Sequence, residues 1–105
     1  MWGLVGSSCE VCYSSTKAAL IGFTKALAKE VGPSGITVNA IAPGLIDTDM
    51  NASLSNEDKA VICEETPLMR IGEPCDVAET AVFLAGDGAS FITGEVISVN
   101  GGYLI

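Results

Sequence analysis

The stretch ITVNAIAPG, residues 36–44, decides the fold of this 105-residue chain. It runs from β-branched residues into Pro43 and Gly44, which is typical of a mostly buried strand that ends in a turn, as the strands of parallel sheets do. We therefore predict a strand over 36–41. A second apolar stretch, GEVISVNGG, predicts another buried strand over 95–99, closed by glycines.

Helices precede and separate these strands. Small and apolar residues recur at helical spacing over 13–30, which predicts a helix there. The GPSG stretch at 32–35 marks its end, because glycine adopts the left-handed cap conformation and proline cannot continue a helix. Ser55 predicts the N-cap of a short helix. Pro74 suits the first turn of a further helix over 74–86.

The order of these elements is helix, strand, short helix, helix, strand. Two strands that are separated by helices are expected to pair in parallel through a right-handed crossover, so we predict an α/β fold. Two strands alone leave most of a sheet missing. We expect apolar faces of the helices to lie uncovered as a result, and each exposed Leu or Phe side chain forfeits ~1.5–3 kcal/mol.

Composition and charge exclude several classes of function. The chain is 49% hydrophobic and 17% charged, as packed proteins are, and its net charge is −8. The five basic residues never form a run, which disfavours nucleic acid and anionic membranes as partners. No apolar run reaches the about 18 residues of a membrane helix. The start MWGLVGSSCEVC lacks the basic region of a signal peptide, so we expect a cytoplasmic protein.

Four cysteines raise the question of a metal or redox site. Cys9 and Cys12 form a C-x-x-C pair, but zinc requires a second such pair or a pair of histidines. Cys63 and Cys75 are too far apart to supply that pair, and the chain contains no histidine. We predict no metal site. A C-x-x-C redox module stays an alternative to cysteines that pack as small core residues.

The stretch CYSSTKAAL, residues 12–20, places Tyr13 and Lys17 one helical turn apart. A phenol near its reference pKa of about 10 is a poor proton donor or acceptor at neutral pH. A lysine on the same helix face favours the phenolate and lowers that pKa, so the pair could move a proton. The same spacing also occurs by chance in many helices, and Pro43 with Gly44 could simply end a strand.

Longer motifs give this pair a context. Besides YSSTK, the chain contains GFTKALAKEV, GITVNAIAPGLIDTDM and PLMRIGEPCDVAETAVFLAGDGASFITGEVISVNGG in that order. With these motifs it resembles the C-terminal half of a short-chain dehydrogenase/reductase, close to the 3-oxoacyl-acyl-carrier-protein reductase group, over nearly all of its length. The resemblance implies the C-terminal half of a doubly wound parallel-sheet Rossmann fold, with the N-terminal dinucleotide-binding half missing. Residues 1–105 would then be one part of a single reductase domain.

The resemblance also implies roles for individual positions. Tyr13 matches the family's catalytic tyrosine, which gives its proton to the carbonyl oxygen. Lys17 matches the lysine that lowers the pKa of this tyrosine and holds the nicotinamide ribose hydroxyls. The Pro-Gly turn at 43–44 matches the turn beneath the nicotinamide, Ile46 the residue whose backbone meets the carboxamide, and Thr48 the hydroxyl that commonly follows. Open α/β sheets bind ligands at such turns, just beyond the carboxyl end of a parallel strand.

Other parts of the family's site have no counterpart in this sequence. The glycine of the family's S-x-x-G segment matches Gly3, so its serine would fall before Met1, and Ser7 and Ser8 do not replace it. The glycine-rich cofactor turn is also absent. We interpret the chain as cut from a longer one, or truncated at Met1, and expect it to be inactive alone.

The remaining implications concern cofactor, substrate and assembly. The cofactor would be NADP or NAD, with NADPH favoured, and the substrate a ketone, most simply a 3-oxoacyl thioester on a carrier protein of fatty acid biosynthesis. The start of the chain also resembles a Firmicute branch that reduces a ketone on modified translation elongation factor P. Region 51–73 would form the lid over the substrate. The full-length protein would be a homodimer or homotetramer; the alternative is a non-catalytic subunit that serves as an oligomerisation module.

Overall fold

The computed structural model describes the backbone of residues 11–49 and 54–104, and side chains in these ranges from Ser14 onward. It contains three α-helices and two strands within them, in the order helix, strand, helix, helix, strand. Their bounds are α1 Val11–Val31, β1 Ala40–Pro43, α2 Asn56–Glu65, α3 Pro74–Ala85 and β2 Val96–Val99.

The two strands form a parallel sheet. Ala40 pairs with Val96, and Pro43 pairs with Val99. The helices α2 and α3 lie between the strands in the chain and provide the crossover connection. The predicted α/β fold with parallel pairing is therefore confirmed.

The first strand begins later than the 36–41 expected from its β-branched residues, and it extends further. Before Ala40 the chain still runs beside the partner segment, but side chains enter its hydrogen bonds: the Val38 N–H donates to the Thr93 hydroxyl at 2.9 Å, next to one 2.7 Å backbone bond from the Gly94 N–H to the Val38 carbonyl. The reason lies in Gly94, whose φ of +73° turns the partner segment away from extended geometry. A regular ladder can form only beyond that turn.

The boundaries of the first helix follow from local chemistry. It covers Val11–Val31, against a prediction of 13–30, and continues into a short 3₁₀ turn over Gly32–Ser34. Gly35 then takes a left-handed conformation, with φ of +76°, and its N–H donates to the Gly32 carbonyl at 2.9 Å. The predicted stop at the GPSG stretch is confirmed.

The starts of the other two helices also have local causes. The Ser55 hydroxyl accepts a 3.0 Å hydrogen bond from the Asp58 N–H, which confirms the predicted N-cap of α2. Helix α3 begins with Pro74, as predicted. Asp76 in its first turn accepts a 2.7 Å bond from the Glu73 N–H, a cap that the sequence did not predict.

Little apolar surface is buried among the described side chains. Among the described residues, the buried hydrophobic side chains are Ala28, Ile46 and Ala89, and two of these three are alanines. Helix α3 exposes Val82 and Phe83, at 72% and 54% of their full surface, and α1 exposes Phe23. These uncovered faces are what two strands without the rest of a sheet should leave. In the ranges that the structure describes, no helix is both long enough and apolar enough to span a bilayer.

Candidate active site

The turn that follows β1 lies directly against the end of β2. The Gly44 N–H donates a 2.9 Å hydrogen bond to the Val99 carbonyl. A Cβ atom added to Gly44 would lie 2.8 Å from the Cβ and 2.9 Å from the Cα of Asn100, which is too close for any real contact. Glycine at this position therefore allows the two strand ends to touch.

Asn100 holds the end of β2 in a tight turn. Its side-chain amide donates to the Leu104 carbonyl at 3.1 Å, and its side-chain oxygen accepts from the Gly102 N–H at 2.9 Å. Gly101 and Gly102 both have positive φ, at +63° and +89°. The Asn100 backbone that Gly44 contacts is thus fixed by its own turn.

The next residues of the turn pair with a distant part of the chain. The Gly72 N–H donates to the Leu45 carbonyl at 3.0 Å, and the Asp47 N–H donates to the Gly72 carbonyl at 2.8 Å. Ile46 is therefore the parallel-bridge partner of Gly72. In such a bridge the flanking residues make the bonds, so the N–H and C=O of Ile46 are directed away from Gly72.

The Ile46 side chain also depends on this pairing. It is buried, with 8% of its surface exposed. A Cβ atom on Gly72 would lie 2.6 Å from the Ile46 Cδ1 atom, so the glycine leaves room for the isoleucine. Backbone bonds and side-chain packing together set the orientation of the Ile46 peptide groups.

An ion pair beside Gly72 was not anticipated from the sequence. The Arg70 guanidinium binds the Asp76 carboxylate through both oxygens, with Nη1–Oδ2 at 2.9 Å and Nη2–Oδ1 at 3.1 Å. Arg70 also donates to the Ile71 carbonyl at 3.2 Å. The hydrogen bond from Arg70, and next the one from the Glu73 N–H, lower the pKa of Asp76 to about 2.

The predicted proton-transfer pair lies on another element. Tyr13 is within α1, but its side chain is outside the part of the structure that is described. Lys17 follows one turn later on the same helix and is half-buried. Pro43, Gly44 and Ile46 are brought together in one turn at the carboxyl end of β1, and Thr48 follows as an exposed residue.

A cavity of about 680 Å³ adjoins this turn. Leu45 and Gly72 belong to its wall, together with Ile62 of α2, Val99 of β2 and Tyr103. The wall includes neither Lys17 nor the predicted cofactor-binding positions of the turn. The cavity therefore adjoins the predicted site from the other side, and Leu45, Gly72, Val99 and Asn100 connect the two.

The described residues hold no group of three His, Cys, Asp or Glu side chains that could bind a metal ion. Cys63 and Cys75 are free thiols. Cys9, and the side chain of Cys12, lie outside the described part of the chain. The redox alternative for the C-x-x-C pair stays a prediction.

The polar groups of the turn fit the cofactor that the motifs imply. A nicotinamide carboxamide carries one hydrogen-bond donor and one acceptor group, and the Ile46 backbone, which the bridge to Gly72 orients, contains one group of each kind. The Thr48 hydroxyl is exposed two residues further along.

Comparisons with known proteins agree with this geometry. The family model described as enoyl-(acyl carrier protein) reductase matches residues 3–104. The crystal structure of a short-chain dehydrogenase/reductase from Brucella melitensis superposes with a TM-score of 0.93 at 36% sequence identity, over 100% of this chain and 42% of that one. The chain belongs to the short-chain dehydrogenase/reductase family, as its motifs predicted.

The similar proteins include reductases that are named by their substrate and an oxidoreductase that is not. The 3-oxoacyl-[acyl-carrier-protein] reductase FabG of Aquifex aeolicus (strain VF5) is 56% identical over 100 residues, which are 95% of this chain and 40% of that protein. The uncharacterized oxidoreductase YmfI of Bacillus subtilis (strain 168) is 48% identical over 103 residues, 98% of this chain and 43% of that protein. The chain thus spans about two fifths of the length of these relatives.

Proposed function

We propose that this chain is part of a nicotinamide-dependent carbonyl reductase, in which Tyr13 is the proton donor and Lys17 assists it. The observation that carries the proposal is the turn after β1, which Asn100 and Gly72 hold in place at the carboxyl end of a parallel strand. Ligands of open α/β sheets bind at that end. We call "complete reductase" this chain joined to the further segment that its relatives possess, which we propose precedes it.

The residues of the proposed site divide the binding of the cofactor and the transfer of the proton among them. Ile46, through its backbone, and Thr48 orient the nicotinamide ring, which supplies a hydride when it is bound. Lys17 holds the ribose and favours the phenolate of Tyr13 by its positive charge. Tyr13 donates its hydroxyl proton to the substrate oxygen and so prevents a free alkoxide from accumulating. We propose NADPH as the preferred cofactor, with NADH as the alternative.

The proposed substrate is a 3-oxoacyl thioester on an acyl carrier protein. The similar FabG proteins are named for this reaction, whereas the family model is described by enoyl reduction. We favour the ketone because a tyrosine hydroxyl suits protonation of an oxygen atom. A ketone on modified elongation factor P is the second substrate candidate, and the similarity to an oxidoreductase of Bacillus subtilis is compatible with either.

Replacing Tyr13 tests the proposal. In the complete reductase, Tyr13→Phe removes only the proton donor, so kcat should fall by about 10²- to 10⁴-fold while the Kd for NADPH stays nearly unchanged. Tyr103→Phe is the matched control, because the Tyr103 hydroxyl makes only a long 3.4 Å bond to an exposed glutamate. Equal rates for Tyr13→Phe and the wild type would refute the role.

A non-catalytic oligomerisation module is the second candidate function. The observation in its favour is a face of small, exposed residues on α1, where a Cβ on Gly22 would meet no atom within 4 Å. Such faces allow helices to approach closely. Mixing the 105-residue chain with a full-length relative decides between the two: a defined complex on size exclusion, without NADPH binding by the chain, would favour the module.

A further inference from the structure

We propose that the ion pair between Arg70 and Asp76 positions the Ile46 backbone, and through it the nicotinamide, an inference that rests on the function proposed above. We call this pair with its bonds to Ile71 and Glu73 the clamp. Arg70 and Asp76 stand on either side of Gly72 in the chain. They act through Gly72, which bonds to both neighbours of Ile46.

The clamp is built around the Gly72 peptide. Arg70 reaches forward to the Ile71 carbonyl, and Asp76 reaches back to the Glu73 N–H. The groups immediately before and after Gly72 are therefore each held by one partner of the ion pair. Because both oxygens of Asp76 bind Arg70, the two partners cannot rotate independently.

Helix α3 anchors the clamp. Asp76 lies in its first turn, and its backbone carbonyl accepts a 2.9 Å bond from the Thr80 hydroxyl. The carboxylate also lies near the positive end of the helix, which favours its charged form. The segment around Gly72 is thus tied to a regular element rather than to another loop.

Besides the clamp, two backbone hydrogen bonds hold the chain just before this segment, from the Leu68 N–H to the Gly101 carbonyl at 3.2 Å and from the Met69 N–H to the Thr66 carbonyl at 2.8 Å. Just before it, Met69 has a left-handed φ of +59°, which is unfavourable for a residue with a side chain. Leu68 and Met69 are mostly exposed, at 65% and 64%, so they add little packing. Two backbone hydrogen bonds link Gly72 to the turn after β1, and we expect the clamp to hold their geometry.

The expected effect is specific to cofactor binding. Ile46 would contact the nicotinamide, while the proton donor Tyr13 and its partner Lys17 lie on α1. Loss of the clamp should therefore weaken NADPH binding and leave the chemical step nearly intact at saturating NADPH. One or two weakened hydrogen bonds correspond to a rise in Kd of about 5- to 30-fold.

The experiment compares variants of the complete reductase. Arg70→Gln should raise the Kd for NADPH by about 5- to 30-fold and change kcat at saturating NADPH by less than about threefold. Arg70→Lys keeps the positive charge but contacts the carboxylate through a single nitrogen atom. Its Kd for NADPH should therefore lie between those of the wild type and Arg70→Gln. Lys25→Gln, an exposed change on α1 with the same loss of charge, is the control for general attraction of an anionic cofactor.

A second position separates the clamp from the helix cap. Asp76→Asn retains a side-chain oxygen for the Glu73 N–H but loses the charge that holds Arg70. It should raise the Kd for NADPH as Arg70→Gln does, and the double variant should be little worse than either single one, because both remove the same interaction.

The outcomes are distinct. If Arg70→Gln and Lys25→Gln bind NADPH equally well, the clamp does not position the cofactor. If the Kd, kcat, ketone KM and melting temperature all worsen together, Arg70 has only a general structural role and the inference is wrong. A wild-type complete reductase that binds no NADPH would overturn the proposed function itself, and the clamp inference with it.

Discussion

Gly44 sets how closely the ends of the two strands approach. Its φ is not in the left-handed region, so the position does not require glycine for backbone conformation. The requirement is steric, because the Cα and Cβ atoms of Asn100 occupy the space that a side chain would need. The Pro-Gly pair in the sequence predicted a turn at this position. It could not show this contact, since Asn100 is distant in the chain and held by its own turn.

We therefore predict that Gly44→Ala in the complete reductase lowers the free energy of unfolding by about 1–3 kcal/mol, as overpacking against fixed backbone does. It should also weaken NADPH binding, because the turn must move. Gly32→Ala is the control: a Cβ there meets no atom within 4 Å, and φ is not left-handed, so stability should stay equal or rise by up to about 1 kcal/mol. Urea unfolding measures both, and equal stabilities would contradict the steric argument.

The clamp shows the limit of prediction for single residues. Ser55 was predictable as a cap because its partner, the Asp58 N–H, lies within one turn. Arg70 and Asp76 are also close in sequence, but their contact depends on the left-handed Met69 and on the path of the chain through Gly72. No composition or spacing rule indicates that conformation for a methionine. Interactions that follow from regular geometry were thus visible in the sequence, and those that follow from an unusual turn were not.

At the scale of elements, the stability of helix α2 depends on the capping of its ends more than on the packing of its sides. None of its residues is buried, and the Ser55 cap supplies one of its few bonds to the preceding chain. The acids Glu57 and Asp58 in the first turn suit the positive end of the helix. The helix was predictable from this capping chemistry, whereas the start of β1 was not, because it depends on Gly94 in the partner segment.

Removing the cap should therefore loosen α2 selectively. We predict that Ser55→Ala in the complete reductase destabilises this helix by about 1 kcal/mol, seen as faster amide hydrogen exchange within α2 and unchanged exchange in α1 and the sheet. Ser90→Ala, an exposed serine beyond a short 3₁₀ turn, serves as the control. Uniformly faster exchange across the chain, or none at all, would show that the cap does not act locally.

The whole molecule is more open than a complete domain of its length. Its radius of gyration is 15.3 Å, against about 13 Å for a compact chain of this size. The exposed apolar side chains on α1 and α3 also indicate an open structure. The sequence predicted both the parallel α/β fold and its incompleteness, because the number of strands can be counted from it. The cavity beside Leu45 could not be predicted, since it arises from how separate segments pack.

This openness leads to a prediction for the chain alone. Side chains such as Phe23 and Phe83 each forfeit ~1.5–3 kcal/mol when exposed, against a net stability of only ~5–15 kcal/mol for a typical domain. The isolated 105-residue chain should therefore bind the dye ANS and unfold without a cooperative transition. Adding the preceding segment, as a separate chain or in fusion, should suppress ANS binding and restore cooperativity. Sharp unfolding of the isolated chain would contradict this.

The contiguity of the clamp has a consequence for inheritance. Residues 70–76 contain both ion-pair partners, the bridging Gly72 and the first turn of α3. One short exchange of sequence between related genes would therefore transfer both ion-pair partners together with Gly72. The fit of Gly44 against Asn100 joins two distant positions, but it involves the Cα and Cβ atoms that every residue other than glycine has at position 100. Within this family, position 44 should therefore stay glycine whichever residue occupies position 100, while segment 70–76 can be exchanged as a unit between proteins that share Ile46.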